Sequence, residues 1–236
     1  PWAARTAVRR NIKYGADLIK TCSTGGVLSK GTKVGAPQYT VEELTALVDE
    51  AHSRGLKVAS HAHGAQGIIN ALHAGADTIE HASFIDEEGI RLAIANNAAL
   101  SMDIYVTEYI LGEGAGAGIL EESLEKERMT GSTQRANFRK AVEAGATIVY
   151  GTDAGVYPHG QNAKQFSRMV RFGMTPLQAI QSATVTAADV MGLGYEVGKI
   201  EAGYAADFVA VKGNPLENIE LLEEPAAVIK GGVRYR

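Results

Sequence analysis

The sequence has 236 residues, 45% of them hydrophobic and 21% charged, which suits a globular chain with a sizeable core and excludes disorder, collagen-like repeats and coiled coil. Lys and Arg number 23 against 27 Asp and Glu, a formal charge of −4. There is thus no basic footprint for nucleic acid or an anionic membrane, and no apolar run approaches the ~20 residues of a membrane span. A single cysteine, Cys22, excludes an internal disulfide framework and a multi-cysteine zinc site.

The chain opens at Pro1 without an initiator Met or a signal-like segment, and Arg5, Arg9 and Arg10 are spaced among apolar residues as on a helix. It is expected to be the later part of a longer polypeptide, which leaves localisation open. Gly15-Ala-Asp-Leu-Ile-Lys20 then begins a repeated grammar of apolar-periodic segment, glycine and short β-rich run ending in an ionisable residue. Glycine past a helical pattern is a left-handed helix stop, and the apolar run after it reads as a buried parallel strand.

Thr40-Val-Glu-Glu43 is a capping box, followed by Leu44, Leu47, Val48 and Ala51 on one helical face. Gly55-Leu-Lys-Val-Ala-Ser-His61 and Gly75-Ala-Asp-Thr-Ile-Glu-His81 repeat the grammar. A helical stretch from Glu87 to Asn96 leads to a further strand, Ala99-Leu-Ser-Met-Asp-Ile-Tyr105, and Gly112 to Gly118 reads as a mobile lid or a surface insertion in rim-loop position. Gly145-Ala-Thr-Ile-Val-Tyr-Gly-Thr-Asp153 is the last such unit, and Thr175-Pro-Leu-Gln178 starts another capped helix. From Gly194 the pattern changes to short strands between glycine turns, a small β appendage. The expected division is residues 1–193 and residues 194–236.

Alternating strands and helices predict a parallel α/β sheet. No glycine-rich phosphate turn opens a helix after a strand, as a doubly wound sheet usually shows. Lys20, His61, His81 and Asp153 instead end strands in different units, which favours a (β/α)8 TIM barrel with its chemistry at the C-terminal rim. Five strands are counted, so about three βα units are expected upstream of Pro1.

Two strand-end histidines and a carboxylate suit zinc or a similar dication. Asp153, within Gly151-Thr-Asp-Ala-Gly155, also suits a turn or helix cap. A buried strand-end Lys20 has three readings: pairing with a carboxylate, a Schiff base, or a carbamate formed with carbon dioxide. Nearby metal ligands favour the carbamate, because dications lower the amine pKa and stabilise an anionic product. His52 and His73 fall within helical patterns as surface or packing residues, and Cys22 reads as a space filler.

From Lys20 to the end, the chain resembles the metal-dependent amidohydrolase superfamily. The resemblance rests on Ile19-Lys20-Thr21, Ser60-His61-Ala-His63-Gly64, Ile79-Glu-His81-Ala and Gly151-Thr-Asp153-Ala-Gly155 in that order. It implies that Lys20 ends barrel strand 4, His61 strand 5, His81 strand 6 and Asp153 strand 8, and that residues Gly198 to Asp207 belong to a β-sandwich flank. The superfamily's strand-1 His-x-His pair has no counterpart here, since His61-Ala-His63 follows the lysine, so that pair is expected upstream. Met102-Asp-Ile-Tyr105 and Tyr157-Pro-His-Gly160 resemble the branch of prolidase-like dipeptidases, Xaa-Arg/Lys carboxypeptidases, imidazolonepropionase relatives and ochratoxin-type amidases.

The resemblance further implies two divalent metals, of the zinc type, bridged by carboxylated Lys20. A hydroxide held between them would attack an amide in a dipeptide or N-acyl amino acid. His61 and His81 would bind one metal. Asp153 would bind the other and act as general acid and base. Tyr105 would donate to the oxyanion, and His63 and His159 would contact the substrate. Homo-oligomers are common in this branch. The alternatives are an imidazolonepropionase-type cyclic-amide hydrolase, a mononuclear deaminase, a Schiff-base aldolase using Lys20, and a non-catalytic oligomer module.

Overall fold

A computed structural model describes residues 1–236. Strands β1 (Ile19–Cys22), β2 (Val58–Ala62), β3 (Thr78–His81), β4 (Ala99–Ser101) and β5 (Ile148–Val149) form one sheet, paired in sequence order and all parallel. The strand order never reverses, so the sheet has no switch point of the doubly wound kind and reads as one continuous stretch of barrel wall. The connecting helices are α1 (Trp2–Lys13) before β1, α2 (Val41–His52), α3 (Ala65–Ala74), α4 (Glu87–Ala95), α5 (Val106–Gly112) and α6 (Glu121–Glu143). After β5 come α7 (Lys164–Arg171), α8 (Pro176–Ser182) and α9 (Val185–Met191).

Local chemistry sets these boundaries. Thr40 with Glu43 and Thr175 with Gln178 both close complete capping boxes. The Asp86 carboxylate accepts from Gly89 N–H to start α4, and Gly75 ends α3 at φ 93°. Two of the expected strands are shorter than their apolar runs. The ladder stops at Ser101, because Met102 to Tyr105 turn into α5, and only Ile148 and Val149 pair in the last unit.

Alternation divides the sheet into two faces. Ile19, Val58, Ile79, Leu100 and Ile148 face the helices and join Val8, Leu44, Ile68, Leu72, Phe138 and Met169 in one core. Lys20, Cys22 and His61 point the other way, with Cys22 directly opposite His61 in the register. Because β1 is an edge strand, Lys20 and Cys22 are exposed. The expected burial of Lys20 and space-filling by Cys22 are not seen in this five-stranded sheet, whose edge they occupy.

Asp77, just before β3, ties this layer together. Its carboxylate accepts from Val58 N–H at 2.8 Å and Lys57 Nζ at 3.4 Å, and pairs with His52 Nε2 at 2.8 Å. Partial burial acts to raise its pKa, but these donors outweigh it and hold the carboxyl below its ordinary value. The Asp77 contribution is therefore complete above the unfolded carboxylate pKa of about 3.9 and is lost as pH falls through the folded value. Asp77→Asn is expected to cost about 1–2 kcal/mol at pH 7. Urea denaturation should show the gap from wild type closing below about pH 4, and an equal gap at both pH values would refute the assignment.

Beyond α9, β6 (Phe208–Ala210), β7 (Ala227–Lys230) and β8 (Val233–Arg234) form a separate antiparallel sheet. Gly231 and Gly232, at φ 56° and 77°, make the two-residue turn between β7 and β8, a type I′ geometry that glycine adopts without penalty. A 3-10 turn, Ile219–Glu223, docks beside α7 through Ser167 Oγ, which donates to Glu223 at 3.0 Å.

Candidate metal and substrate site

The C-terminal ends of the strands deliver the chemistry, and the backbone aims it. His81 closes β3 in a left-handed conformation, φ 67°, as does Ala82 at φ 48°. Asp153 follows β5 at φ 49°. His63 comes two residues after His61, and the chain then passes Gly64, where a Cβ would lie 2.1 Å from the Gly35 carbonyl oxygen. Only glycine allows the β1–α2 loop to press this closely on the β2–α3 turn.

Three imidazoles converge. Ring centroids of His61, His63 and His81 are 4.5 to 4.8 Å apart, and their ligand-type nitrogens all lie within 4.8 Å of one another. His81, Asp103 and Asp153 form a second group of the same size. His63 Nδ1 bonds Ser83 Oγ at 2.8 Å and His81 Nδ1 pairs with Asp103 Oδ1 at 3.0 Å, which leaves both Nε2 atoms for the cavity. Gln134 Nε2 donates to Asp103 Oδ1 and to the His81 carbonyl, both at 3.1 Å, and so locks the carboxylate that orients His81.

Electrostatics prepares these groups for a cation. Burial, with repulsion from His81 and Lys20, lowers His61 to about 4. Burial also pushes His63 well below its ordinary value. Both rings are therefore neutral at pH 7, the form that binds metal. Burial would lower His81 too, but Asp103 offsets it and raises the ring. Asp103, despite its burial, is pulled down to about 2 by His81. The Asp153 side chain has exposed surface, yet part of its hydration is lost inside the cavity, and this together with Asp103 raises its carboxyl.

These groups line a cavity of about 230 Å³ with Lys20 and Cys22. Val27 and Leu28 after β1, Val106 and Ile110 of α5, and Val156 add an apolar wall. Glu127, Thr130 and Gln134 of α6 complete the lining. Lys20, His61, His63, His81 and Asp153 thus meet in one place.

The other sequence candidates do not join them. Tyr105 is buried behind the wall, its hydroxyl donating to Gln161 Oε1 at 3.1 Å and its ring packed edge-on to Tyr157. His159 is exposed and outside the lining. The glycine run from Gly112 also stays outside the lining. It ends α5 and turns tightly into α6 through Glu113, Gly114, Ala117 and Ile119 N–H bonds, and no residue of 112–118 lines the cavity. Asp103, Ser83, Gln134 and Glu127 were missed by sequence reasoning. Asp103 alone carried a signal, since it stands just past a strand end.

Convergent imidazoles and carboxylates on the C-terminal rim of a parallel α/β wall define a barrel protein with a metal-type site. The chain belongs to the amidohydrolase family, whose model matches residues 3–234. Ochratoxinase of Aspergillus niger is 36% identical over 237 residues, covering 98% of this chain and 49% of the relative. The crystal structure of a Xaa-Pro dipeptidase with bound methionine shares 43% identity at a TM-score of 0.95, covering 100% of this chain and 58% of that one. A prolidase complexed with N-methylphosphonate-L-proline shares 29% at 0.92, over 98% of this chain and 58% of that one. The chain spans about half the length of these proteins, and its five-stranded sheet corresponds to the C-terminal part of the amidohydrolase TIM barrel.

Proposed function

We propose that the protein hydrolyses an amide or peptide bond in a small substrate, a dipeptide or an N-acyl amino acid, at a site for two divalent metal ions. The observation that carries this is the convergence of three imidazoles with Asp103 and Asp153, two of the rings held neutral and the third oriented by a buried carboxylate. The donor set fits such ions: imidazole nitrogens and carboxylate oxygens are borderline and hard ligands that zinc, manganese and cobalt all accept. His61 and His81 would hold one ion and Asp153 the other. Lys20, carboxylated by carbon dioxide with loss of a proton, would bridge them. When bound, the ions supply Lewis acidity and lower the pKa of water to about 7.

The chain's own groups account for the proton traffic and the positioning. Asp153 takes the proton of the attacking water and returns it to the leaving amine, a general acid and base task. Asp103 keeps the His81 tautomer fixed, and Gln134 keeps Asp103 fixed. His63, with Nε2 free, faces the substrate. Tyr105 braces the wall through Gln161, and reaches an oxyanion only by releasing that bond. The relatives named as Xaa-Pro dipeptidase, prolidase and ochratoxinase support this reading.

The test is metal content by plasma mass spectrometry on the full-length protein, purified without chelator and with bicarbonate present. About two ions per chain and turnover of dipeptides or N-acyl amino acids are expected. Metal-free protein that stays inactive after zinc, manganese or cobalt is added would overturn the proposal.

A further inference from the structure

Glu127 lies on the wall of the same cavity and takes no part in the chemistry above. It is 3% exposed, yet it forms no ion pair. Thr107 Oγ1 donates to Oε1, and Oε2 has no protein partner. Three polar atoms of the chain are sealed from solvent and unpartnered, Thr21 Oγ1, Arg135 Nε and Tyr157 OH; Glu127 Oε2 is not one of them, so it opens onto the cavity. The seat is built for this side chain. At Gly131, one turn on, a Cβ would lie 2.3 Å from Thr107 Cγ2 and 3.0 Å from Glu127 Oε1, so only glycine leaves room for the Thr107–Glu127 pair.

Position along α6 gives the second observation. Glu127, Thr130 and Gln134 form one helical stripe facing the cavity. Gln134 touches Asp103 at the metal end, and Glu127 stands seven residues earlier, about 10 Å along the axis at 1.5 Å per residue. The neighbouring wall is the apolar part, Val106 and Ile110. Lys20 is the only Lys or Arg of the lining, and it lies on β1 close enough to His61 to repel its proton. That part of the cavity therefore presents one desolvated carboxylate oxygen without an ion-pair partner: Arg135 acts on it only through space, and Lys126 Nζ is turned to the Ser29 carbonyl and Glu122.

We infer that Glu127 is a specificity residue, whose free oxygen receives an ammonium or guanidinium group of the substrate at the end of the cavity away from the metal site. This rests on the amide-hydrolase reading and adds the substrate's charge class to it. Burial raises the carboxyl to about 7, with Asp103 adding to the rise and Thr107, Arg135 and His81 opposing it. An arriving cation restores the charged form and recovers part of what burial cost. The cation has two possible sources, the α-ammonium or a basic side chain, and the apolar wall accommodates the stem of either.

The test is equilibrium binding by calorimetry to the metal-loaded, full-length protein, using two matched pairs. L-Lysine against L-norleucine isolates a side-chain ammonium, and L-leucine against N-acetyl-L-leucine isolates the α-ammonium. In at least one pair, the wild type should favour the cationic member by about tenfold or more. Glu127→Gln, near-isosteric and still able to accept from Thr107, should erase that preference, and Glu127→Asp should retain part of it. Thermal melting and metal content check that the variants fold. No preference in the wild type, or a preference that survives in Glu127→Gln, overturns the inference. Hydrolysis is scored separately on N-acetyl-L-leucine, a neutral dipeptide and a lysine-containing dipeptide. Failure on all three would sink the amidase reading and leave the binding result standing.

Discussion

Asp153→Asn is expected to lower kcat for the proposed amide hydrolysis by about 10²- to 10⁴-fold, the range that general acid and base catalysis supplies. The carboxamide has nearly the shape of the carboxylate but cannot take a proton from water or hand one to the leaving amine. Its backbone is unperturbed, because Asn is among the few residues that tolerate the left-handed conformation held at this position. Asp153 is exposed and makes no hydrogen bond that the fold needs, so the melting temperature should move little. The measurement is kcat at saturating substrate on metal-replete protein, with melting as a control. A kcat within tenfold of wild type would remove Asp153 from the proton pathway.

Phe138→Ala is expected to cost about 3–5 kcal/mol, since the lost transfer energy of the ring adds to the cavity it leaves. Phe138 is completely buried on α6 and belongs to the core between the helices and the sheet. On a total stability of about 5–15 kcal/mol such a loss brings the domain close to unfolding. The damage reaches the site as well, because Gln134 sits one turn before Phe138 and holds Asp103. Urea denaturation of the two proteins measures the difference, and a loss under about 1 kcal/mol would mean that this part of the core relaxes freely.

The strand and helix grammar was legible in the sequence because it rests on local signals. The capping boxes at Thr40 and Thr175 formed as written, and each glycine-plus-apolar run became a parallel strand. His61 and His81 were visible because a residue at the end of a barrel strand points to the rim; Lys20 stands second in β1 and Asp153 four residues past β5, so neither ends its strand as expected, yet both line the same cavity. What was not visible arises from contacts far apart in sequence. α6 buries polar residues such as Glu127, Thr130 and Gln134 against a polar cavity, so no apolar stripe announces which face it turns inward. Asp103 becomes a partner of His81 only once β3 and β4 lie side by side. The Tyr105 hydroxyl was expected to donate to an oxyanion, and Gln161, 56 positions away, accepts it instead.

The left-handed backbone at His81, Ala82 and Asp153 has a consequence for how this centre can change over time. A left-handed residue costs roughly 1–2 kcal/mol for most side chains, and Asn, Asp and His occupy such positions far more readily. Those are also residues that ligate metal. Mutational drift at positions 81 and 153 is thus channelled toward other donor groups, with the main chain still aiming them into the same cavity, while β-branched residues are resisted by the fold before they are tested for activity. Preference between one divalent ion and another can therefore vary among descendants without rebuilding the wall that carries it.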